Sequence, residues 1–356
     1  MKIAVVLFNL GGPDRPEAVR PFLHNLFSDP AIIRAPFPIR PLLAWLITRR
    51  RTPPAMENYA LLGGRSPLLE LTEQQAAALE ASLTPDLDLR CFIAMRYWHP
   101  MTDAAVDAVK AYGPDRIVLV PLYPQFSTTT TGSSLIAWRD AAARRGLVAR
   151  TTALCCWHSD TGFVNATAAI LRTHYERARA EIGSGTGLRI LFSAHGLPES
   201  IVKAGDPYQW QVEQSVARIV AAAGLEDTDH TICYQSRVTP QVWIGPSTEA
   251  AIEAAAHDRT AVLVVPVAFV SEHSETLVEL DVEYGDLARK LGVPGYFRVS
   301  TQNSDPAFIA ALADLVRRTV TSDRALCSHA GGRQCPKAHR DCPHTTAASW
   351  RKPEFA

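Results

Sequence analysis

The 356-residue chain is 47% hydrophobic and 20% charged, which is enough for two domains or one large core and rules out wholesale disorder. Its 36 Lys and Arg balance 36 Asp and Glu, so the broad basic footprint of a nucleic-acid binder is excluded. Only six of those cations are Lys, and the surplus of Arg suits paired hydrogen bonds to carboxylates.

The opening KIAVVLFNLGGP runs from an apolar strand straight into a turn, without a secretory signal pattern. Next comes AIIRAPFPIRPLLAWLITRRR at 31–51, broken by three prolines and several arginines. It reads as a surface helix with apolar flanks, as an apolar lip over a site, or as a membrane-touching edge. No apolar run approaches the roughly 20 residues that span a bilayer. The expectation is a cytoplasmic chain, at most peripheral to a membrane.

Short β-branched runs then alternate with Ala-rich stretches. Strands are expected at 2–9, 89–95, 116–121 and 148–155, and again at 188–193, 230–234, 261–267 and 295–299. Segments such as 70–82 and 160–182 are long enough for crossover helices. Continuous apolar runs like IVLV and AVLVV indicate strands covered on both faces, as in a parallel sheet. The pattern is α/β, four strands plus four. The halves also resemble each other: DRIVLVPLYPQFSTTTTGSSL at 115–135 parallels DRTAVLVVPVAFVSEHSETLVEL at 258–280, and NLGGPDRPEAV at 9–19 loosely parallels SAHGLPESIV at 193–202. Duplication of a doubly wound unit explains both, with a junction near 161–183. Ligands of such sheets bind beyond the carboxyl ends of the strands.

The polar motifs sit at those ends. His195 directly follows a buried strand, placed to take a proton or ligate a metal. A helix beginning near Ser271 would put Glu272, Glu275, Glu279 and Glu283 on one face, beside an apolar stripe of Leu277, Leu280 and Tyr284, with no Lys or Arg partner. Such carboxylates repel, hold a cation, or share protons with raised pKa values. With His273 among them, the group reads as a conduit for cations and protons. CYQSRVTPQVWIGP adds Tyr234 and Trp243 as an aromatic wall, and AMRYWHP adds Arg96 and Tyr97. Dinucleotide, P-loop and nucleophile-elbow motifs are all missing, so no nucleotide is expected.

Taken in order, NLGGP, YPQFSTTTTGSS, SAHGLP, YQSRVTPQVWIGP and FVSEHSETLVELDVEY resemble the ferrochelatases over about residues 3–320. The resemblance implies two similar Rossmann-type domains, each with a four-stranded parallel sheet, and an active-site cleft between them. It divides the chain into 1–160, joined by a C-terminal helix at 305–320, then 161–304, then a Cys/His-containing extension at 321–356. The implied reaction is ATP-independent insertion of ferrous iron into protoporphyrin IX. Coproporphyrin III, another metal or tetrapyrrole, and a non-enzymatic haem or Fe–S sensor are the alternatives.

Residue by residue, the resemblance makes His195 and Glu275 the catalytic and iron-site pair, facing each other across the porphyrin. His273, Glu279 and Glu283 form the relay behind them. Asn9, Leu10, Arg96, Tyr97 and Trp243 line the pocket, while Arg51, Tyr59 and Ser66 match propionate-binding positions. Some family members carry a [2Fe–2S] cluster on C-terminal cysteines, and the tail CSHAGGRQCPKAHRDC lacks the close Cys pairs of a zinc finger. Thr128 and Ala338 stand where two of the family's cysteine ligands would be. The expected set here is therefore Cys327, Cys335, Cys342 and one of Cys155 or Cys156, which would point to opposite faces of a continuing strand. The expected partners are porphyrin and ferrous iron, with transient contact to a membrane surface or an upstream haem-pathway enzyme.

Overall fold

The computed structural model describes residues 1–236 and 241–345. The first sheet contains β1 (Ile3–Asn9), β2 (Leu89–Met95), β3 (Arg116–Pro121) and β4 (Arg150–Leu154). The second contains β5 (Leu188–His195), β6 (His230–Gln235), β7 (Ala261–Pro266) and β8 (Tyr296–Arg298). All pairings are parallel, with Ile3 opposite both Leu89 and Arg116, and Ile190 opposite both His230 and Leu263. β1, β3 and β7 are buried along their whole length, which is why they are written in Val, Ile and Leu.

The two sheets repeat one topology. The orders are β2-β1-β3-β4 and β6-β5-β7-β8, so the first strand of each half lies inside its sheet, where the winding reverses. Asn9 and His195 therefore end equivalent strands. One expectation is corrected: the first sheet has five strands, because β9 (Leu326–Cys327) from the tail pairs with β4. The tail is thus stitched into the sheet by backbone hydrogen bonds that a reading of strand-length apolar runs does not reveal.

The main apolar core passes through both sheets, joining Val5 and Leu7 to Ile190, Phe192 and Leu263. A buried polar link accompanies it on the helix Leu68–Leu83. Thr72 Oγ1 accepts from Asn9 Nδ2 at 3.1 Å, and one turn later Gln75 Nε2 donates to the Val270 and Asn303 carbonyls at 3.1 and 2.9 Å. These buried groups have their partners only when the halves are docked in one register, so the link fixes the distance between the two strand-end clusters. The helix Pro306–Val320, capped by Asp305, packs on β3 and β4 of the first sheet. None of the described helices is long and apolar enough to cross a membrane.

Candidate active site

β5 delivers His195 at its carboxyl end, and the segment after β7 delivers Glu275 as the first residue of a π-helix, Glu275–Glu283. His195 Nδ1 lies 2.8 Å from Glu275 Oε2. A carboxylate only accepts, so Nδ1 carries the proton and Nε2 is the atom left for chemistry. At that distance no macrocycle passes between the two side chains. The expectation has them facing each other across a ring; in this structure they are hydrogen-bonded directly to each other.

From Glu275 the hydrogen bonds continue inward. Ser236 Oγ bonds Glu275 Oε2 at 3.3 Å and Glu279 Oε2 at 2.5 Å. Gln235 Nε2, the Ser236 backbone N–H and the Tyr284 hydroxyl all donate to Glu279, at 3.0, 2.8 and 3.0 Å. Ser236 has a φ of 63°, a left-handed backbone that costs a non-glycine residue energy and that the contact with Glu279 stabilises. Ser236, Gln235 and Tyr284 were not among the expected site residues. Gln235 and Ser236 follow the expected strand 230–234 directly, and that position was their only signal. Tyr284 was read as apolar stripe, but its hydroxyl belongs to the polar line.

The carboxylates differ along this line. Glu275 is held at about 2, because the neighbouring imidazole more than offsets the burial that would raise it. Glu279 is raised, by burial first and by the Glu275 charge second. Burial alone would lower His195, yet the Glu275 carboxylate brings it above its ordinary value. A proton entering at His195 thus has a low-affinity carboxylate beside it and a higher-affinity one beyond.

Three expected members fall outside the line. Glu272 precedes the π-helix and pairs with Arg298 at 2.9 Å, both side chains being 12% exposed, so the stripe does have an Arg partner. Arg298 also holds Asp281, at 2.5 Å. His273 is buried against Phe269, and its Nδ1 donates to the Ser271 carbonyl at 3.2 Å rather than to a carboxylate. Burial lowers its pKa. Glu283 is exposed at the outer end and accepts from Asn58 Nδ2 at 3.0 Å.

The ferrochelatase family profile matches residues 2–320. The chain is 52% identical over 351 residues to the ferrochelatase of Caulobacter vibrioides, covering 98% of this chain and 99% of that one. It is 49% identical over 347 residues to that of Hyphomonas neptunium, covering 96% and 94%. The chain belongs to the ferrochelatase family. Ferrochelatases put iron into a porphyrin in haem synthesis, and ferrous iron and porphyrin are this chain's substrates. Among solved structures, SirB of Bacillus subtilis matches with a TM-score of 0.51 at 15% identity, covering 90% of this chain and 96% of SirB. A second SirB structure, in complex with cobalt, gives 0.52 at 13%, covering 90% and 95%. Those likenesses concern the fold.

The structure places the remaining expected pocket residues unevenly. Leu10 is half-buried past β1, and Trp243 is half-buried on a bridge to Pro198 in the turn after His195. Arg51 is exposed on the helix Ile39–Leu61; Tyr59 of the same helix is buried with its hydroxyl 3.5 Å from Ser274 Oγ. Ser66 packs on the turn after β1, where a Cβ at Gly12 would lie 2.5 Å from it. Asn9 is turned to Thr72 and to the Leu10 N–H, so it braces the turn. Tyr97 is 1% exposed and donates its hydroxyl to Asp29 at 2.8 Å, and Arg96 reaches the same carboxylate at 2.7 Å. Tyr97 backs the wall and does not line it. Residues 237–240 of the YQSRVTPQVWIGP motif lie outside the described ones.

The cysteines separate into two sets. β4 stops at Leu154, so Cys155 and Cys156 do not alternate; their sulfurs are 3.3 Å apart on one side. This corrects the expectation that only one of them reaches the tail. Cys335 accepts from Gln211 Nε2 at 3.2 Å, hydrogen bonding with Cys342 pushes it up, and Cys342 is pulled down in turn. Cys156 is held low by Cys155, with His158 and His329 close by. Cys327 is the exception. It packs in the main core and donates its thiol to the Ala153 carbonyl and Thr319 Oγ1 at 3.7 and 3.9 Å, while its backbone carbonyl accepts from the Cys155 N–H at 2.7 Å. Thr128 is fixed to Asp206, and Ala338 is exposed. Among the described residues, no three His, Cys, Asp or Glu converge closely enough to hold one metal ion.

Proposed function

We propose that this chain inserts ferrous iron into protoporphyrin IX, with His195 taking the pyrrole protons and Glu275, Ser236 and Glu279 leading them away. The single observation that carries this reading is the unbroken hydrogen-bond line from His195 Nδ1 to Glu279, two residues of which neighbour the site's only strained non-glycine backbone among the described site residues. Metal insertion must remove two pyrrole protons, strip water from the cation and bend a stiff ring. An imidazole made more basic by Glu275 serves the first need. Glu275, whose carboxylate stays ionised, serves the second by offering the arriving iron an anionic oxygen beside a ring nitrogen. Trp243 and Leu10 offer flat apolar contact that holds the ring, and Arg51 at the rim suits its propionates.

The reading is tested by anaerobic incubation with ferrous iron and either protoporphyrin or coproporphyrin, without ATP. Faster haem formation from protoporphyrin supports it. Turnover confined to coproporphyrin replaces the substrate, and binding without turnover makes the chain a sensor.

The tail is proposed to hold a [2Fe–2S] cluster. What supports this is the donor set: two pairs of buried thiols, Cys155 with Cys156 and Cys335 with Cys342, suit two irons with two terminal thiolates each. Nδ1 of His158 and His329 and Nε2 of His344 are also buried without hydrogen-bond partners around them. Cys327 is left out of the set by its place in the core. The cluster supplies a one-electron redox group when bound, and no proton step depends on it. Seven cysteines, all free among the described residues, fit the cytoplasm. The division into 1–160 with 305–320, then 161–304, is proposed on the packing of the helix Pro306–Val320 against the first sheet.

A further inference from the structure

Among the described residues, three other than glycine have a left-handed backbone: Ser236, Arg259 and Asn303, at φ 63°, 53° and 45°. Ser236 belongs to the line from His195, and Arg259 is exposed in the turn before β7. Asn303 is half-buried between β8 and the helix Pro306–Val320. Such a conformation persists only where the surroundings over-determine it, so its contacts must supply the reason. β7 and β8 are parallel neighbours, and the segments leaving their carboxyl ends meet at Asn303. Its N–H donates to the Val270 carbonyl at 2.9 Å, and its carbonyl accepts from Gln75 Nε2 at 2.9 Å. Its Oδ1 accepts from the Glu272 N–H at 3.1 Å and from Thr301 Oγ1 at 3.2 Å.

Residues 270–272 are gripped from both domains. Gln75 of the first holds the Val270 carbonyl and accepts from Ser271 Oγ, both at 3.1 Å. From the second, Arg298 Nη1 and the Thr301 N–H hold the Glu272 carboxylate, both at 2.9 Å. Asn303 bonds the backbone of Val270 and of Glu272, so it sets where the segment turns toward the π-helix. Beyond Glu272 there is little slack. The His273 N–H donates to Thr276 Oγ1 at 3.0 Å, and the Thr276 and Leu277 N–H groups donate back to the His273 carbonyl at 3.1 and 2.8 Å. Glu275 stands inside this closed turn, and a shift of about half an ångström would spoil its contact with His195. We infer that Asn303 is a positioning residue for the reaction: by bracing Val270 and Glu272 from a left-handed backbone, it holds Glu275 in register with His195. Asparagine suits the position because its side chain accepts the bond and its backbone tolerates this φ. The effect on turnover rests on His195 and Glu275 carrying the reaction; the hold on Glu275 does not.

The test is steady-state kinetics of the full chain with ferrous iron and the porphyrin that wild type turns over. Wild type, Asn303→Gly and Asn303→Asp are compared, each with and without Glu275→Gln. Gly keeps the backbone and removes the acceptor; Asp keeps both. Asn303→Gly should lower kcat about five- to tenfold, with KM for porphyrin changed by less than about twofold. Asn303→Asp should stay within about threefold of wild type. On the Glu275→Gln background, Asn303→Gly should cost less than about twofold more, because the residue it positions is already disabled. Hydrogen–deuterium exchange of the amides of 272–277, measured without substrate, should quicken in Asn303→Gly and not in Asn303→Asp. Melting curves accompany each variant. If Asn303→Gly does not fold, Thr301→Val takes its place: it frees the Asn303 side chain, and the same pattern should appear on a smaller scale. Full turnover or unchanged exchange in the variant tested would overturn the proposal. So would an equal loss in Asn303→Asp, or a loss that multiplies on top of Glu275→Gln. Near-normal turnover in Glu275→Gln itself, with exchange quickened as expected, would overturn the roles of His195 and Glu275 and leave the bracing by Asn303 standing.

Discussion

The two sheets end in two buried polar clusters of opposite make. At the ends of β5 and β6, donors and acceptors from His195 to Glu279 and Tyr284 match one another. At the end of β4, the thiols of Cys155, Cys156, Cys335 and Cys342 lie near one another, and three imidazole nitrogens nearby have no hydrogen-bond partner among the described residues. Buried polar groups cost energy unless satisfied, so the first cluster is complete as protein, while the second is complete only under the proposal that it holds an added group. The difference separates chemistry performed by side chains from chemistry that needs an added group.

The sharpest way to break this comparison is at His195. Replacing it with Ala should cut turnover about a hundred- to ten-thousand-fold while porphyrin binding, followed by fluorescence quenching, persists. More than about a tenth of wild-type turnover would remove its role as proton acceptor. Glu275→Gln comes next, at about ten- to a hundredfold, because the amide keeps the shape but loses the charge that raises His195. Ser236→Ala breaks the link between Glu275 and Glu279 and should cost on the order of tenfold, the worth of one charge-assisted hydrogen bond. Glu283→Gln, at the exposed end, should change kcat by less than about threefold. If all four fall equally, the line is a structural unit and not a graded path.

The second cluster should respond in colour and not in proton chemistry. Anaerobically purified protein should show [2Fe–2S] absorption, and Ser at Cys335 or Cys342 should bleach it. With both sulfurs on one side, Cys155→Ser and Cys156→Ser should each bleach it, while Cys327→Ser should not. Protein without acid-labile sulfide would leave the tail without a cluster and the His195 line untouched.

Much of this was legible beforehand, for physical reasons that differ by residue. The eight strands show as β-branched runs because both faces of each parallel sheet are covered. His195 shows because it directly follows one of them. The π-helix does not show: the i, i+4 spacing of Glu275, Glu279 and Glu283 suits an α-helix equally well, so its start was set too early and Glu272 was counted in. Arg298, which claims Glu272, lies on a strand 26 residues further along, and no local pattern connects them. Ser236 is a serine in a turn, ordinary until its φ is known. Cys155 and Cys156 were misread because alternation holds only while a strand lasts, and β4 ends one residue earlier. β9 is two residues long, below the length at which apolar alternation carries information.

The central claim is that the Glu275 carboxylate makes His195 a stronger base than a free imidazole. His195 must be neutral at Nε2 to accept a pyrrole proton, so activity should fall as pH drops through its raised pKa. The measurement is the acid limb of kcat/KM in wild type and Glu275→Gln, beside an NMR titration of the His195 ring. The wild-type limb should coincide with the His195 titration, above the ordinary value of about 6.5. In Glu275→Gln both should move down together, because burial is then opposed only by the Glu279 charge. A limb that stays in place while the His195 titration moves would contradict the account.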